Sequence, residues 1–405
     1  MEDGNVTYCP EMDLIIACLP LDRNGTVAAP RLRALLASST LDWNLVASLA
    51  GRHGMLPMLT HALNAVNFLS VPLAVRQQLV ARNLKHVRTV LAGVSALVEV
   101  QGYFRRLRVQ AVSWKGPSLG VDLYGIGALR ESADLDLLVA QRNIPAAVEV
   151  LQFLEYKRHR KAEHFGRRNM IARLDREYCF YRERDRTYIE LHTQILPSRF
   201  ASWQDMRHSL QRTHDRPLVA SMEVETLEPG DLLVSLCGHA IKHHWEKLKW
   251  LADVARFIET YSETLDWEHL ARWTRRRGRF TAVLHSCTLA AKVFGVVLPL
   301  PLAARTPEEE KVLALTDRVA DWLRAGALEP MSHLDTGMQL ALLCQGRLSY
   351  LHFTARRLLE PQLVDLRDER HAASSPLLAK WRRIRRELSW SELVGKTSES
   401  LKAMR

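Results

Sequence analysis

The chain lacks any hydrophobic run that could span a bilayer. Its longest apolar stretch, residues 293–304, is broken by Pro299 and Pro301, whereas a spanning helix needs about 20 consecutive apolar residues. Cysteine is scarce too. Cys9, Cys18, Cys179, Cys237, Cys287 and Cys344 are widely scattered and form no CxxC pair, which argues against a disulfide framework or a zinc ribbon and fits a reducing compartment. There is no low-complexity tract and no fixed-period repeat, so solenoid and disordered classes fall away. The first residues carry Glu2 and Asp3 where a secretory leader would carry positive charge, and a cytoplasmic location is the expectation.

What is present is ordinary in amount and uneven in distribution. Hydrophobic residues make up 47% and charged residues 25% of 405, which suits a globular protein with two or three compact units. The net charge is +11 and the isoelectric point about 9.5, so an anionic partner is expected. Residues 157–186 hold eleven Lys or Arg against five Asp or Glu. This basic run either borders a site for an anion or forms a solvated surface.

Periodicity divides the chain into three regions. Residues 41–50 and 56–63 read as helices separated by His53-Gly54, the first with Thr40 as its cap. A long helix is expected over 72–106, with Val80, Leu84, Val87, Leu91, Val94 and Val98 as its packed stripe. Strand-like patterns follow at 109–114, 135–139, 170–174, 177–182 and 187–192, with a helix at 145–154 between them. Beyond Pro229-Gly230 the pattern is helical again, ending in an amphipathic segment that starts at Ser375-Pro376 and has Leu377, Trp381, Ile384 and Leu388 on one face. The expected architecture is α+β: a helical region over 1–106, a small mixed-sheet core over 107–227, and a helical domain over 228–405.

Within the core, Asp134-Leu135-Asp136-Leu137-Leu138-Val139 is the most informative segment. Alternate side chains of a strand share a face, so Asp134 and Asp136 project together while Leu135 and Leu137 pack behind. Adjacent carboxylates repel one another and become tolerable around a hard divalent cation, Mg²⁺ or Mn²⁺. Two solvated aspartates at a strand end are the plain alternative. Upstream, Lys115-Gly116-Pro117-Ser118 lies where a strand gives way to a helix. Gly116 permits close backbone approach, Pro117 suits the first turn, and Lys115 and Ser118 can supply a charge and a hydroxyl to phosphate. Downstream, Tyr188-Ile189-Glu190-Leu191-His192 alternates as well. It offers Glu190 as a third carboxylate or proton acceptor, and His192 as either a cleft residue or a buried, hydrogen-bonded one.

Together with Tyr124, Arg130, Asp42-Trp43, His53-Gly54-Met55-Leu56-Pro57, and the segments 239–253 and 358–386, these residues resemble the uncharacterised nucleotidyltransferase family of bacteria. That family is a distant branch of the polymerase β-like superfamily, and some members are encoded beside lasso-peptide or cell-surface polysaccharide genes. The resemblance implies that Asp134 and Asp136 bind metal, with Glu190 as the third acidic residue. It also implies that the loop at Gly116 holds a triphosphate. The superfamily usually has Ser directly after this Gly, whereas Pro117 intervenes here, and the spacing from Gly116 to Asp134 is longer than usual. Arg130 is read either as a phosphate partner or as an ion pair with Glu131 or Asp134. His239 and His243 lie one helical turn apart without the Glu of a zinc protease, and Lys242 and His244 beside them are candidate substrate-cleft contacts.

The expected reaction is transfer of NMP from an NTP, in the simplest case ATP, to a hydroxyl or phosphate of an acceptor, a small molecule or a peptide. Nucleic acid is less favoured as acceptor. Two other readings stay open: a glycosyltransferase that holds a nucleotide-sugar through DxD, and a non-catalytic protein that binds nucleotide, RNA or an acidic partner. The basic face at Lys380, Arg382, Arg383, Arg385 and Arg386 favours the last, although it lacks the interleaved aromatics of single-strand binders.

Overall fold

Two alternating segments set the architecture. In a computed structural model that describes residues 9–38, 40–159, 177–195, 208–219, 222–303 and 307–326, they form strand β2 (Asp134–Val139) and strand β5 (Thr187–His192). The two pair in parallel at the centre of a five-stranded mixed sheet. Strand β1 (Ala111–Ser113) flanks β2, and β4 (Glu177–Arg182) and β3 (Lys157–Arg158) continue beyond β5, giving the order β1-β2-β5-β4-β3. All pairs except β2–β5 are antiparallel. The fold is α+β, with helices before and after the sheet.

One face of the sheet is apolar. Leu135, Leu137 and Val139 of β2, Ile189 and Leu191 of β5, and Phe180 of β4 are buried against Ala96, Leu97, Val100 and Phe104 of α5 (Leu73–Arg106) and against Ala147, Val150 and Leu151 of α7 (Ile144–Phe153). Burying each large side chain contributes roughly 1.5–3 kcal/mol, so this layer dominates the core.

Helix α5 covers the expected span, and the expected stripe holds in its second half, where Val94 and Val98 pack against the core, but not in its first. Val80, Leu84 and Leu91 are exposed, while Leu79, Val90, Gly93, Ala96, Leu97, Val100 and Phe104 are buried. Small residues at 93 and 96 let the helix settle closely on the sheet, and that rotates the larger side chains of its first half outward. Two further differences are local. Helix α3 (Trp43–His53) is capped by Asp42, whose carboxylate accepts from the amides of Asn44 and Leu45, and not by Thr40. A hairpin of β6 (Thr213–Val219) and β7 (Met222–Leu227) also goes beyond the expected strands, because Pro217 disguises β6 as a turn. The expected strand at 170–174 and the amphipathic segment from Ser375 lie outside the described residues.

The helices after the sheet begin with α8 (Pro229–Lys242) and α9 (Leu248–Tyr261). The carboxylate of Glu228 caps α8 by accepting from the Gly230 amide at 3.1 Å. The start of α9 is held from the N-terminal region, where His53 Nδ1 accepts from the Leu248 amide at 3.3 Å. Gly54, with φ 69° at the end of α3, leaves room for the stem of Lys249. Leu248, Leu251, Val254 and Ile258 are buried along one face of α9. Helices α10 (Trp267–Arg276), α11 (Phe280–Phe294), α12 (Leu300–Ala303) and α13 (Pro307–Arg324) follow. Among the described residues no helix is long and apolar enough to cross a membrane.

Asp253 of α9 is 1% exposed and binds Arg130 through both carboxylate oxygens, at 2.9 and 3.0 Å from Nε and 2.9 Å from Nη2, while Tyr124 donates to it at 3.1 Å. Removing one partner leaves a buried charge uncompensated. Asp253→Ala is expected to cost about 3–5 kcal/mol, read as a fall in the urea midpoint.

His285 of α11 is fully buried, shares a hydrogen with Thr316 at 2.8 Å and packs against Trp245. Burial pushes its pKa down to about 3. The native imidazole therefore stays neutral while the unfolded one takes a proton near its ordinary value. Its contribution is intact above about pH 6.5 and is lost toward pH 3, at up to about 1.4 kcal/mol per unit. A plot of unfolding free energy against pH should lose one proton of slope over that range in His285→Gln.

Candidate active site

The second face of the sheet is polar. Register places Asp136 opposite Glu190, Asp134 opposite Tyr188, and Leu138 opposite His192. Parallel pairing with alternating side chains therefore brings Asp134, Asp136, Glu190 and His192 to one side. Ligating atoms of Asp136, Glu190 and His192 all lie within 4.8 Å of one another. His192 Nε2 is 2.9 Å from Asp136 Oδ1 and 3.6 Å from Glu190 Oε2. Asp134 shares the face without joining this converging group.

Lys115 Nζ approaches Asp136 Oδ1 at 3.7 Å and His239 Nδ1 of α8 at 3.2 Å. Burial would raise the Asp136 pKa, but the Lys115 ammonium, the hydrogen bond and charge of His192, and His239 outweigh it and hold the carboxyl well below its usual range. Asp134 moves the other way. Burial first, then the Asp136 and Glu190 carboxylates, raise its pKa against the opposing pull of Lys115 and Lys249.

Gly116 opens helix α6 (Gly116–Tyr124) directly beside β2. Its φ is +64°, and a Cβ there would stand 2.8 Å from the Asp134 carbonyl oxygen. Glycine is thus required both by backbone conformation and by close approach to the acidic strand. Ser118 faces inward, its Oγ 2.7 Å from Ser113 Oγ of β1. Arg130 is paired with Asp253, and with neither Glu131 nor Asp134 as one of its two readings had it, because α9 supplies a buried carboxylate that the local sequence does not reveal. The backbone of Lys242 ends α8, and its side chain lies outside the described residues. His244 occupies the turn after α8 with φ 53° and is not one of the converging donors. His239 and His243 form an aromatic cluster with Trp250, the rings of His243 and Trp250 stacked at 4.7 Å.

Several neighbours of the site escaped the sequence reading. Cys179 lies opposite Glu190 in the β4–β5 pairing, and its thiol donates to Glu190 Oε1 at 3.3 Å. Trp114 presents its ring edge-on to His192 at 5.1 Å. Tyr181 and Tyr188 pack at 4.6 Å, with His159 5.5 Å from Tyr188, on the same side of the sheet as the carboxylates. Alternation within 177–182 was the available signal for Cys179 and Tyr181. It became usable only once β4 was paired with β5.

A small mixed sheet that carries acidic residues on adjoining strands beside a glycine-led helix is the arrangement the resemblance implies for a nucleotidyltransferase. The family described as uncharacterised nucleotidyltransferase matches residues 39–295, well over half the chain, and the protein belongs to it. No curated protein and no solved structure matches the chain.

Gly116→Ala tests the close approach. The strained φ and the contact with the Asp134 carbonyl should together cost about 1–3 kcal/mol, seen as a lower melting temperature. Gly102→Ala is the control, since its Cβ would meet nothing within 4 Å and its φ is not in the left-handed region.

Proposed function

We propose that this protein transfers the nucleotidyl group of an NTP, in the simplest case ATP, to a hydroxyl or phosphate on an acceptor, with a divalent cation. The observation that carries this reading is the convergence of Asp136, Glu190 and His192 within 4.8 Å, next to the Gly116 turn, in a chain of this family. The donor set fits a cation: two carboxylates and an imidazole meet at one place, and Asp136 is held ionised by its neighbours. Such an ion, when bound, neutralises charge on the phosphates as the nucleotidyl group moves.

The chain's own groups supply the remainder. The Gly116 turn and the Lys115 ammonium lie on the β1 side of Asp136 and suit the triphosphate, where backbone approach and positive charge are both available. Glu190 lies on the β5 side and can orient the acceptor hydroxyl or accept its proton. In-line displacement places the attacking and leaving oxygens on opposite sides of phosphorus, and the two flanks of Asp136 provide for that. Arg130, committed to Asp253, serves by fixing the approach to β2.

The test uses the full chain with ATP labelled at either the α- or the γ-phosphate, Mg²⁺ or Mn²⁺, and a small-molecule extract as acceptor source. Label from the α-phosphate should enter product. Asp136→Asn should lower kcat by at least about 100-fold, a loss of roughly 2.7 kcal/mol in transition-state stabilisation. Transfer of γ-label instead, or undiminished transfer by the variant, would remove the proposal.

A further inference from the structure

We infer that His192, through Nε2, is the third donor of the ion site, in place of Asp134, and that the site therefore holds a nitrogen-accepting transition ion such as Mn²⁺ more tightly than Mg²⁺. The role of that ion in chemistry rests on the nucleotidyl-transfer reading, whereas its binding does not.

The sequence pattern leads to an all-oxygen set of Asp134, Asp136 and Glu190, which is what Mg²⁺ demands. The side chains select differently. The converging atoms belong to Asp136, Glu190 and His192. Two donors that share an ion at about 2.0–2.2 Å stand about 2.8–3.1 Å apart as octahedral neighbours and about 3.3–3.6 Å apart in tetrahedral geometry. Nε2 of His192 is already 2.9 Å from Asp136 Oδ1 and 3.6 Å from Glu190 Oε2.

Each donor is also held in position. Trp114 lies edge-on against the His192 ring, and its own Nε1 donates to Ser235 Oγ at 2.9 Å, which in turn donates to the Ile195 carbonyl at 3.1 Å. Trp114, His192 and Ser235 are all buried. The Cys179 thiol occupies Glu190 Oε1, so Oε2 is the oxygen turned toward His192. Fixed outer partners of this kind orient ligands and sharpen metal affinity. Imidazole nitrogen is a poor partner for Mg²⁺, which prefers oxygen and water, and is accepted by first-row transition ions, of which Mn²⁺ is the weakest binder.

The experiment measures Mn²⁺ binding to the full chain by electron paramagnetic resonance, without nucleotide, together with competition by Mg²⁺. Pulsed spectra report nitrogen coupling directly. Wild type should bind Mn²⁺ at least tenfold more tightly than Mg²⁺ and show ¹⁴N coupling that changes on ¹⁵N-histidine labelling. His192→Ala should lose that coupling and at least tenfold in Mn²⁺ affinity, while Asp134→Asn keeps the coupling. Absence of nitrogen coupling in wild type, its persistence in His192→Ala, or equal affinity for the two ions would overturn the inference. The wild-type spectra decide the question even if His192→Ala does not fold. Nucleotide label transfer without nitrogen coupling defeats this assignment alone, and nitrogen coupling without label transfer defeats the nucleotidyl reading alone.

Discussion

The parallel register of β2 and β5 is the constraint on which the remainder depends. Asp136 faces Glu190 because Leu135, Leu137, Ile189 and Leu191 are all required on the opposite face, against α5 and α7. A slip of one residue in either strand would drive carboxylates into that layer and turn leucines outward. Core and site are thus two sides of one pairing. The apolar residues specify where the acids meet, without any direct contact between the acids being needed to hold the sheet together.

Such a concentration of carboxylates would repel itself without its surroundings. Lys115 lies against Asp136, and Lys249 lies close enough to act on Asp134 while its ammonium contacts both the carbonyl and the carboxylate of Glu131. These cations come from distant parts of the chain, one from the turn before α6 and one from α9. Helix α9 is in turn seated by His53 and by the Arg130–Asp253–Tyr124 cluster. Segments that look unrelated in sequence therefore meet: His53 holds the start of α9, whose Lys249 acts on Asp134.

What the sequence disclosed follows from the range of the interactions involved. Strands β4 and β5 and helix α5 carry their own periodicity, and their bounds were readable within a residue or so. The shared face of Asp134, Asp136 and Glu190 was readable for the same reason. Partners separated by over a hundred residues were not. Nothing near Arg130 points to Asp253, and nothing near His192 shows that Asp136 will lie 2.9 Å from its ring. The stripe on α5 misled because large apolar residues outweigh Gly93 and Ala96 in any periodic count, although the small residues make the closer contact. Thr40 was the expected cap of α3, and the extended backbone at the helix start gives that place to Asp42 instead.

The doubly bonded pairing of guanidinium and carboxylate between residues 130 and 253 also bears on how this lineage can diverge. Replacing either member first passes through a chain with a lone ion sealed inside it, and lysine cannot reproduce the forked geometry at 130. Descendants should therefore inherit the two positions as a unit, so that the pair marks common ancestry where surface sequence has drifted beyond recognition.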